Sequence, residues 1–252
     1  MWRVVAMIGG LGWLLSSAPA DAGLFGGPPW SYIAEPIEGR VVDQTTGQPI
    51  AGAVVVAQWV LAKPPEGDTY EPWVVIEAVT DAEGRYHIPG WGPKRRPWFR
   101  WLSDYDPQLV IFNSGYWHES IHNGERNSFL RFNPHEAKFR RSYWNGKDIS
   151  LWRFEIGRPI EQQLDNPFIS PYRTKPVLTE EEWAKDLHFA QSAVIGSLSI
   201  DKWTADDWLR IRTFVSAINQ ECLRLPSKLR YQFVRIPNEY AVLLLGDTLP
   251  CR

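Results

Sequence analysis

From Ile37 onward the apolar residues fall into short runs separated by turn-forming residues. Arg40-Val41-Val42 is the first run, 54–60 the second and 73–80 the third, followed by 85–88 and by Leu109-Val110-Ile111-Phe112. Their content of Val, Ile, Tyr and Trp suits a pleated, half-buried surface, so each predicts a strand. Residues 148–156 alternate in part and predict a closing strand. The interruptions carry turn chemistry. Asp43-Gln44-Thr45-Thr46-Gly47-Gln48-Pro49 offers a side-chain acceptor, a Gly for positive φ and then a Pro. Pro64-Pro65-Glu66-Gly67-Asp68 breaks the second run, and Asp81-Ala82-Glu83-Gly84 predicts a hairpin between the third and fourth. Many short strands joined by turns predict an antiparallel β-sandwich.

The period changes after residue 178. Thr179 stands at a helix N-cap with Glu182 three residues on, the capping-box spacing, and Leu178 and Trp183 occupy the staple positions. Thr204 and Asp207, flanked by Trp203 and Trp208, repeat the arrangement. Trp208, Ile211, Val215, Ile218, Cys222 and Leu225 then recur at three- and four-residue steps, which predicts one continuous helix with a single apolar stripe. Pro226 ends or restarts it, and 240–245 is an apolar segment of either type. The fold class expected is therefore α+β, a sandwich followed by a helical C-terminal segment.

The first residues belong to a different pattern. Arg3 precedes an apolar run over 4–15, and Ala18-Pro19-Ala20-Asp21-Ala22 follows, with Ala-x-Ala sites ending at Ala20 and Ala22. A charged start, a short apolar run and small residues at the cleavage site predict a secretory signal peptide over 1–22, cut preferentially after Ala22. The run is shorter than the ~20 residues a membrane span needs, and Gly9, Gly10 and Gly12 break it, so no stable membrane span is expected in the mature chain. Periplasmic or secreted placement follows. Residues 23–36, with Gly26-Gly27-Pro28-Pro29, read as a lead-in linker.

Composition narrows the function classes. The 252 residues are 44% hydrophobic and 22% charged, enough to bury a core. A formal net charge of −2 supplies no field for nucleic acid, and no nucleic-acid partner is expected. The 14 Trp read first as packing material and second as ligand-binding surface.

Gly39-Arg40-Val41-Val42-Asp43, then Thr46-Gly47-Gln48-Pro49-Ile50-Ala51-Gly52-Ala53-Val54-Val55, resembles the opening of a carboxypeptidase regulatory-like domain. Thr80-Asp81-Ala82-Glu83-Gly84-Arg85-Tyr86-His87-Ile88-Pro89 is similar to that family's second hallmark, and Ser114-Gly115-Tyr116 to its Pro-Gly-Tyr element, with Ser in place of Pro. The likeness covers 37–90 well and 91–116 loosely. It implies a transthyretin-like sandwich over 37–157, followed by a linker at 158–177 and the helical segment at 178–252. It also implies a non-catalytic module, because in that family the zinc site belongs to a separate, larger catalytic domain.

Three constellations carry candidate chemistry. His118-Glu119-Ser120-Ile121-His122 matches H-E-x-x-H, in which two His on one helical face bind zinc beside a general-base Glu. Gly115 before it and Asn123-Gly124 after it are poor helix flanks, so a strand or loop is expected, and a zinc-dependent hydrolase using His118, Glu119 and His122 is kept as the alternative. His122-Asn123-Gly124-Glu125 also matches H-x-x-E, but His135 and His188 are the only later His. Lys94-Arg95-Arg96-Pro97-Trp98-Phe99-Arg100-Trp101 is the densest cluster of cations and aromatics. On an inter-strand loop, Lys94, Arg95, Arg96, Trp98, Arg100 and Trp101 would suit an anionic glycan, a lipid headgroup or an acidic segment of an envelope protein. Cys222 and Cys251, the two cysteines, are expected to pair in an oxidising compartment. No cofactor is implied. The reading is a non-catalytic cell-envelope binding or scaffold module, or else a structural partner subunit docking through its helical face.

Overall fold

The computed structural model describes residues 29–62, 70–102, 106–123, 138–155, 157, 178–196, 203–233, 236–246, 248 and 250–251. The expected leader 1–22, the turn at 64–68, Glu125, His135 and the linker 158–177 lie outside them. Eleven strands are described: β1 Ser31–Ala34, β2 Ile37–Asp43, β3 Val54–Ala62, β4 Tyr70–Val79, β5 Arg85–Ile88, β6 Trp91–Arg95, β7 Trp101–Leu102, β8 Gln108–Phe112, β9 Glu119–Ile121, β10 Phe139–Arg140 and β11 Lys147–Leu151. The helices are α1 Glu180–Gln191, continued by a π turn at Ser192–Gly196, α2 Ala205–Leu209, α3 Arg212–Arg224, a 3-10 turn at Ser227–Gln232, and α4 Asn238–Leu245. Mixed sheets followed by C-terminal helices make the class α+β.

The largest sheet runs β4-β3-β8-β9, with β7 also paired to β3. One face carries Val55, Ala57, Trp59, Leu61, Leu109 and Ile111, and these pack with Tyr32, Ile37, Val41, Tyr86, Ile88, Ile149 and Leu151 from the other sheets. The opposite face carries Val54, Val56, Val110 and Phe112, which pack with Trp183, Leu187, Phe214, Val215 and Ile218 from the helices. Both faces of β3 and β8 are therefore dry. This is why they read as unbroken apolar runs where a half-exposed strand would alternate.

The other layer consists of two three-stranded sheets, β10-β1-β6 and β11-β2-β5. The large sheet is antiparallel throughout, but β11 runs parallel to β2, and β10 parallel to β1. That corrects the expectation of a wholly antiparallel sandwich. Short hairpins enforce antiparallel pairing, whereas β10 and β11 lie far along the chain from their partners β1 and β2 and can pair in either sense. The hairpin expected at 81–84 is corrected as well. The turn exists, with the Asp81 carboxylate accepting from Glu83 N–H (3.0 Å) and Arg85 N–H (2.8 Å). It turns a corner between sheets: β4 pairs with β3, while β5 pairs with β2. Gly84 sits there at φ +73°, and a Cβ would come within 2.5 Å of the Val41 carbonyl oxygen.

The turn after β2 is organised by one buried side chain. Asp43 Oδ1 accepts from Thr45 and Thr46 N–H, both at 2.9 Å. Its Oδ2 accepts from Arg153 Nε (2.6 Å) and the Tyr116 hydroxyl (3.1 Å). Burial alone would raise this carboxyl, but the bonds from Arg153, Thr46 and Tyr116 outweigh it and hold the pKa at about 2.

The helix starts form as the sequence predicts. Glu182 accepts from Thr179 N–H at 2.9 Å, Asp207 accepts from Thr204 N–H at 3.0 Å, and Leu178 and Trp183 are both buried. The single helix expected over 203–225 is two helices. In an unbroken ladder the N–H groups of Thr213 and Phe214 would bond the carbonyls of Leu209 and Arg210. Glu77 on β4 takes both instead, at 2.8 and 3.0 Å, and the helix restarts at Arg212. The apolar stripe survives the break: Trp208, Ile211, Val215, Ile218, Cys222 and Leu225 are all buried. Cys222 is bonded to Cys251 with Cα atoms 5.9 Å apart, and Asn219 Oδ1 accepts from Cys251 N–H at 2.7 Å. Among the described residues no helix is long and apolar enough to cross a membrane.

Candidate functional site

The segment reading as a lead-in linker contains β1, which pairs antiparallel with β6, and the two strands carry the basic-aromatic segment. β6 is fixed from inside by an aromatic ladder. Trp91 meets Trp59 and Trp73 edge to face at 5.3 Å each, and Trp73 meets Tyr32 at 5.9 Å. Gly92, at φ +104°, lets the backbone pass the Tyr32 carbonyl oxygen, which a Cβ would approach to 2.6 Å. Much of the Trp content is thus packing, as expected.

Beyond that anchored base the chain forms a short loop, 96–100, between β6 and β7. Arg96 braces it. Its Nε donates to the Pro29 carbonyl at 2.8 Å and its Nη1 to the Arg100 carbonyl at 2.7 Å, while its backbone N–H donates to the Trp30 carbonyl at 3.0 Å. The guanidinium also lies 4.6 Å over the Trp30 ring. At the apex Phe99 has φ 57°, the left-handed region that a bulky residue seldom adopts. There Trp98 is 73% exposed and Phe99 75%. Their rings stand 6.4 Å apart, and Trp98 meets Trp30 edge to face at 5.0 Å.

The six expected residues separate into different jobs. Trp98 and Arg95 face solvent, and Arg95 has no hydrogen-bond or ion-pair partner for its guanidinium among the described residues. Trp101, in β7, is partly exposed. Arg96 is a brace. Arg100 is half-buried, with its carbonyl bonded to that brace. Lys94 turns to the other side of β6: its Nζ donates to the Trp73 carbonyl at 2.9 Å and lies 4.9 Å over the Trp73 ring. Burial first, then the positive charge of Arg210, pushes the Lys94 pKa down, with Asp207 opposing. Lys94 is exposed like Arg95, but its ammonium is already engaged with Trp73, and the expected loop from 94 to 101 has a strand at each end. Trp30 and Phe99 belong to the surface and were not among the expected residues. Trp30 sits in a stretch rich in Gly and Pro, and no local pattern marks it.

The H-E-x-x-H segment lies on β9, with Glu119 opposite Ile111 and Ser120 opposite Val110. Four residues of strand span ~13 Å, too far for His118 and His122 to share one ion in the helical zincin manner, so the geometry that alternative requires is not formed. His118 is committed elsewhere. Its Nδ1 is 2.8 Å from Asp186 Oδ1, and its backbone N–H donates to Asp186 Oδ2 at 3.1 Å, clamping β9 to α1. Burial works against the charged imidazole, but attraction and hydrogen bonding from Asp186 raise its pKa overall. Glu119 is buried, and that burial, reinforced by Asp186 and opposed by His118, pushes its pKa up to about 8. Two perturbed groups side by side, His118 and Glu119, are the mark of many reactive sites. A His–Asp pair needs a nucleophile or bound substrate to act upon, and His118 makes no bond to a hydroxyl or thiol among the described residues. Its observed work is to join two layers.

A depression lies on the outer face of the β11-β2-β5 sheet, lined by Glu38, Arg40, Arg85, His87 and Asp148. Its side chains bond to one another: Arg40 to Asp148 at 2.6 Å, and His87 Nδ1 lies 3.0 Å from Glu38 Oε1. The loop tip, by contrast, sets exposed rings beside Arg95, whose guanidinium has no hydrogen-bond or ion-pair partner among the described residues.

No known family model matches this chain, and no curated protein matches it. Solved structures overlap it in part. The catechol 1,2-dioxygenase from Pseudomonas arvilla C-1 aligns over 50% of this chain and 53% of its own, at 18% identity and a TM-score of 0.27. The 3-chlorocatechol 1,2-dioxygenase from Rhodococcus opacus 1CP aligns over 49% and 61%, at 13% identity and 0.28. The major plantain pollen allergen aligns over 49% of this chain and 94% of its own, at 15% identity and 0.23. The chain thus matches little more than half the length of the dioxygenases, and similarity of this size assigns it neither a fold family nor an activity.

Proposed function

We propose that this chain is an exported, non-catalytic binding module of the cell envelope that captures an anionic component through the loop between β6 and β7. The observation that carries the reading is the construction of that loop. Arg96 makes side-chain bonds to Pro29 and Arg100, the apex residue Phe99 is in a left-handed conformation, and two aromatic rings are turned into water beside Arg95, which has no partner among the described residues. Exposed large rings lose favourable burial, and a left-handed bulky residue costs ~1–2 kcal/mol. Such features persist where another surface compensates for them. Export rests on the leader pattern over 1–22, and the Cys222–Cys251 bond suits an oxidising compartment. The transthyretin-like reading of the sandwich rests on the motifs at 39–55 and 80–89.

Retention on envelope fractions is the test. Purified protein should sediment with total envelope material and leave cytosolic debris behind. Arg95→Ser should weaken retention in a salt-sensitive way, because exposed charges are screened over ~10 Å at 0.1 M salt. Trp98→Ala should weaken it with little salt dependence. Unchanged retention in both variants sinks the proposal.

A further inference from the structure

We infer that the anionic component is the headgroup surface of an acidic phospholipid bilayer, with Trp98 and Phe99 as the inserting residues; this rests on the binding role proposed for the same loop. Shape is the first argument. The two rings crown a convex tip, 73% and 75% exposed, and Phe99 has no polar atom with which to orient a sugar or a peptide. A site for a discrete soluble ligand is concave and adds placed polar groups to its apolar lining. A tip of this kind suits a soft interface, where amphipathic Trp sits at headgroup level and an apolar neighbour goes deeper.

Charge placement is the second argument. Arg95 projects from the outer side of β6, opposite Ser31, and the guanidinium of Arg96 lies over Trp30 behind the apex. A cation set back from aromatic rings, here Arg95, meets phosphates when the rings enter the acyl boundary, while Arg96 stays in place as the brace. The same small sheet continues the theme outward. Phe139, half exposed, lies opposite Ile33 on β1, while the alternate residues Tyr32 and Ala34 point into the core.

The backbone supplies the third. Phe99 at φ 57° would be eased by Gly, yet a bulky aromatic holds the apex, and Arg96 bonds to carbonyls on both sides of the loop. The two ends of the loop are tied together through Arg96, so its tip is already shaped. Since no described helix is long and apolar enough to span a bilayer, attachment through one tip is peripheral and reversible.

The test is flotation of the purified protein with phosphatidylcholine vesicles, with and without phosphatidylglycerol. The protein should float with the acidic vesicles and stay behind with the neutral ones. Arg95→Ser should lower partitioning about fivefold at low salt. Phe99→Ala and Phe99→Gly should each lower it by about tenfold or more at every salt concentration. Both apex variants remove only an exposed side chain, and melting temperatures no lower than that of the wild type confirm that they fold. No partitioning into acidic vesicles, or partitioning indifferent to Phe99, overturns the inference. If envelope fractions still retain the protein through Arg95 and Trp98 while vesicles do not, the binding role stands and the lipid assignment falls. Binding of an acidic polysaccharide through the same residues, without vesicle binding, likewise overturns the lipid assignment alone. If envelope fractions also fail to retain it, the binding role falls too.

Discussion

Glu77 in the large sheet holds Phe214 at the start of α3. One carboxylate oxygen accepts from Phe214 N–H at 3.0 Å and the other from Thr213 N–H at 2.8 Å. Ile211, at the N-cap, makes no side-chain cap bond, so the cap comes from a strand more than a hundred residues away. The positive end of a helix favours a carboxylate at this spot. Glu77→Ala should cost about 1–2 kcal/mol in a denaturant titration. Glu77→Gln, which keeps one acceptor, should recover part of that loss. An Ala variant as stable as wild type would show the cap to be inert.

Asp43 joins the turn after β2 to Arg153 and Tyr116 beyond the far strands. Its pKa, about 2, lies below the ordinary 3.8, so its stabilising contribution is present above that ordinary value and is lost as pH falls through about 2. Asp43→Asn should cost roughly 2 kcal/mol at neutral pH and almost nothing near pH 2. Urea midpoints at the two pH values check this.

Glu119 behaves in the opposite sense. Its folded pKa of about 8 exceeds the ordinary 4.5, so its contribution is complete below 4.5 and disappears as pH rises through about 8. Glu119→Gln, neutral at every pH, should match wild type under mild acid. It should exceed wild type by roughly 1–3 kcal/mol near pH 9. Melting curves that stay parallel across this range would contradict the assignment. The raised pKa of His118, to which Glu119 itself contributes, acts in the same direction.

How much of this was legible in the chain depends on where the determinants lie. The capping boxes at Thr179 and Thr204, the turn at Asp43 and the core of every long strand are local, and each forms where its residues predict. The break between α2 and α3 is not local: the residues 208–225 keep a helical period, and only the arrival of Glu77 interrupts the ladder. The strands β1, β6 and β9 are short, hold Gly, Pro or polar residues, and are specified by their neighbours more than by propensity. The cluster at 94–101 stands out by density alone. Residues 92–95 are all exposed, and what separates Lys94 from Arg95 is the contact of Lys94 with Trp73. Trp30 joins through the fold, seated beneath Arg96.

The bond between Cys222 and Cys251 closes a separation of 29 residues and ties the C-terminus to α3. In the chain-entropy account a loop of that size is worth about 3–4 kcal/mol. A double Cys→Ser variant should lose a comparable amount in reversible denaturation, and the loss should match that seen on reducing the wild-type protein. Two free thiols in the exported, unreduced protein would contradict the pairing.

Binding through the loop between β6 and β7 is checked with the fewest assumptions by hydrogen–deuterium exchange of the protein, alone and on envelope material. Exchange reports which backbone is covered without presuming a ligand. Slowed exchange should be confined to peptides over 95–102 and 30–34, with the segments around Glu38, His118 and α4 unchanged. Protection concentrated at α4 or around His118, with the 95–102 peptides exchanging as in the free protein, would contradict binding through this loop.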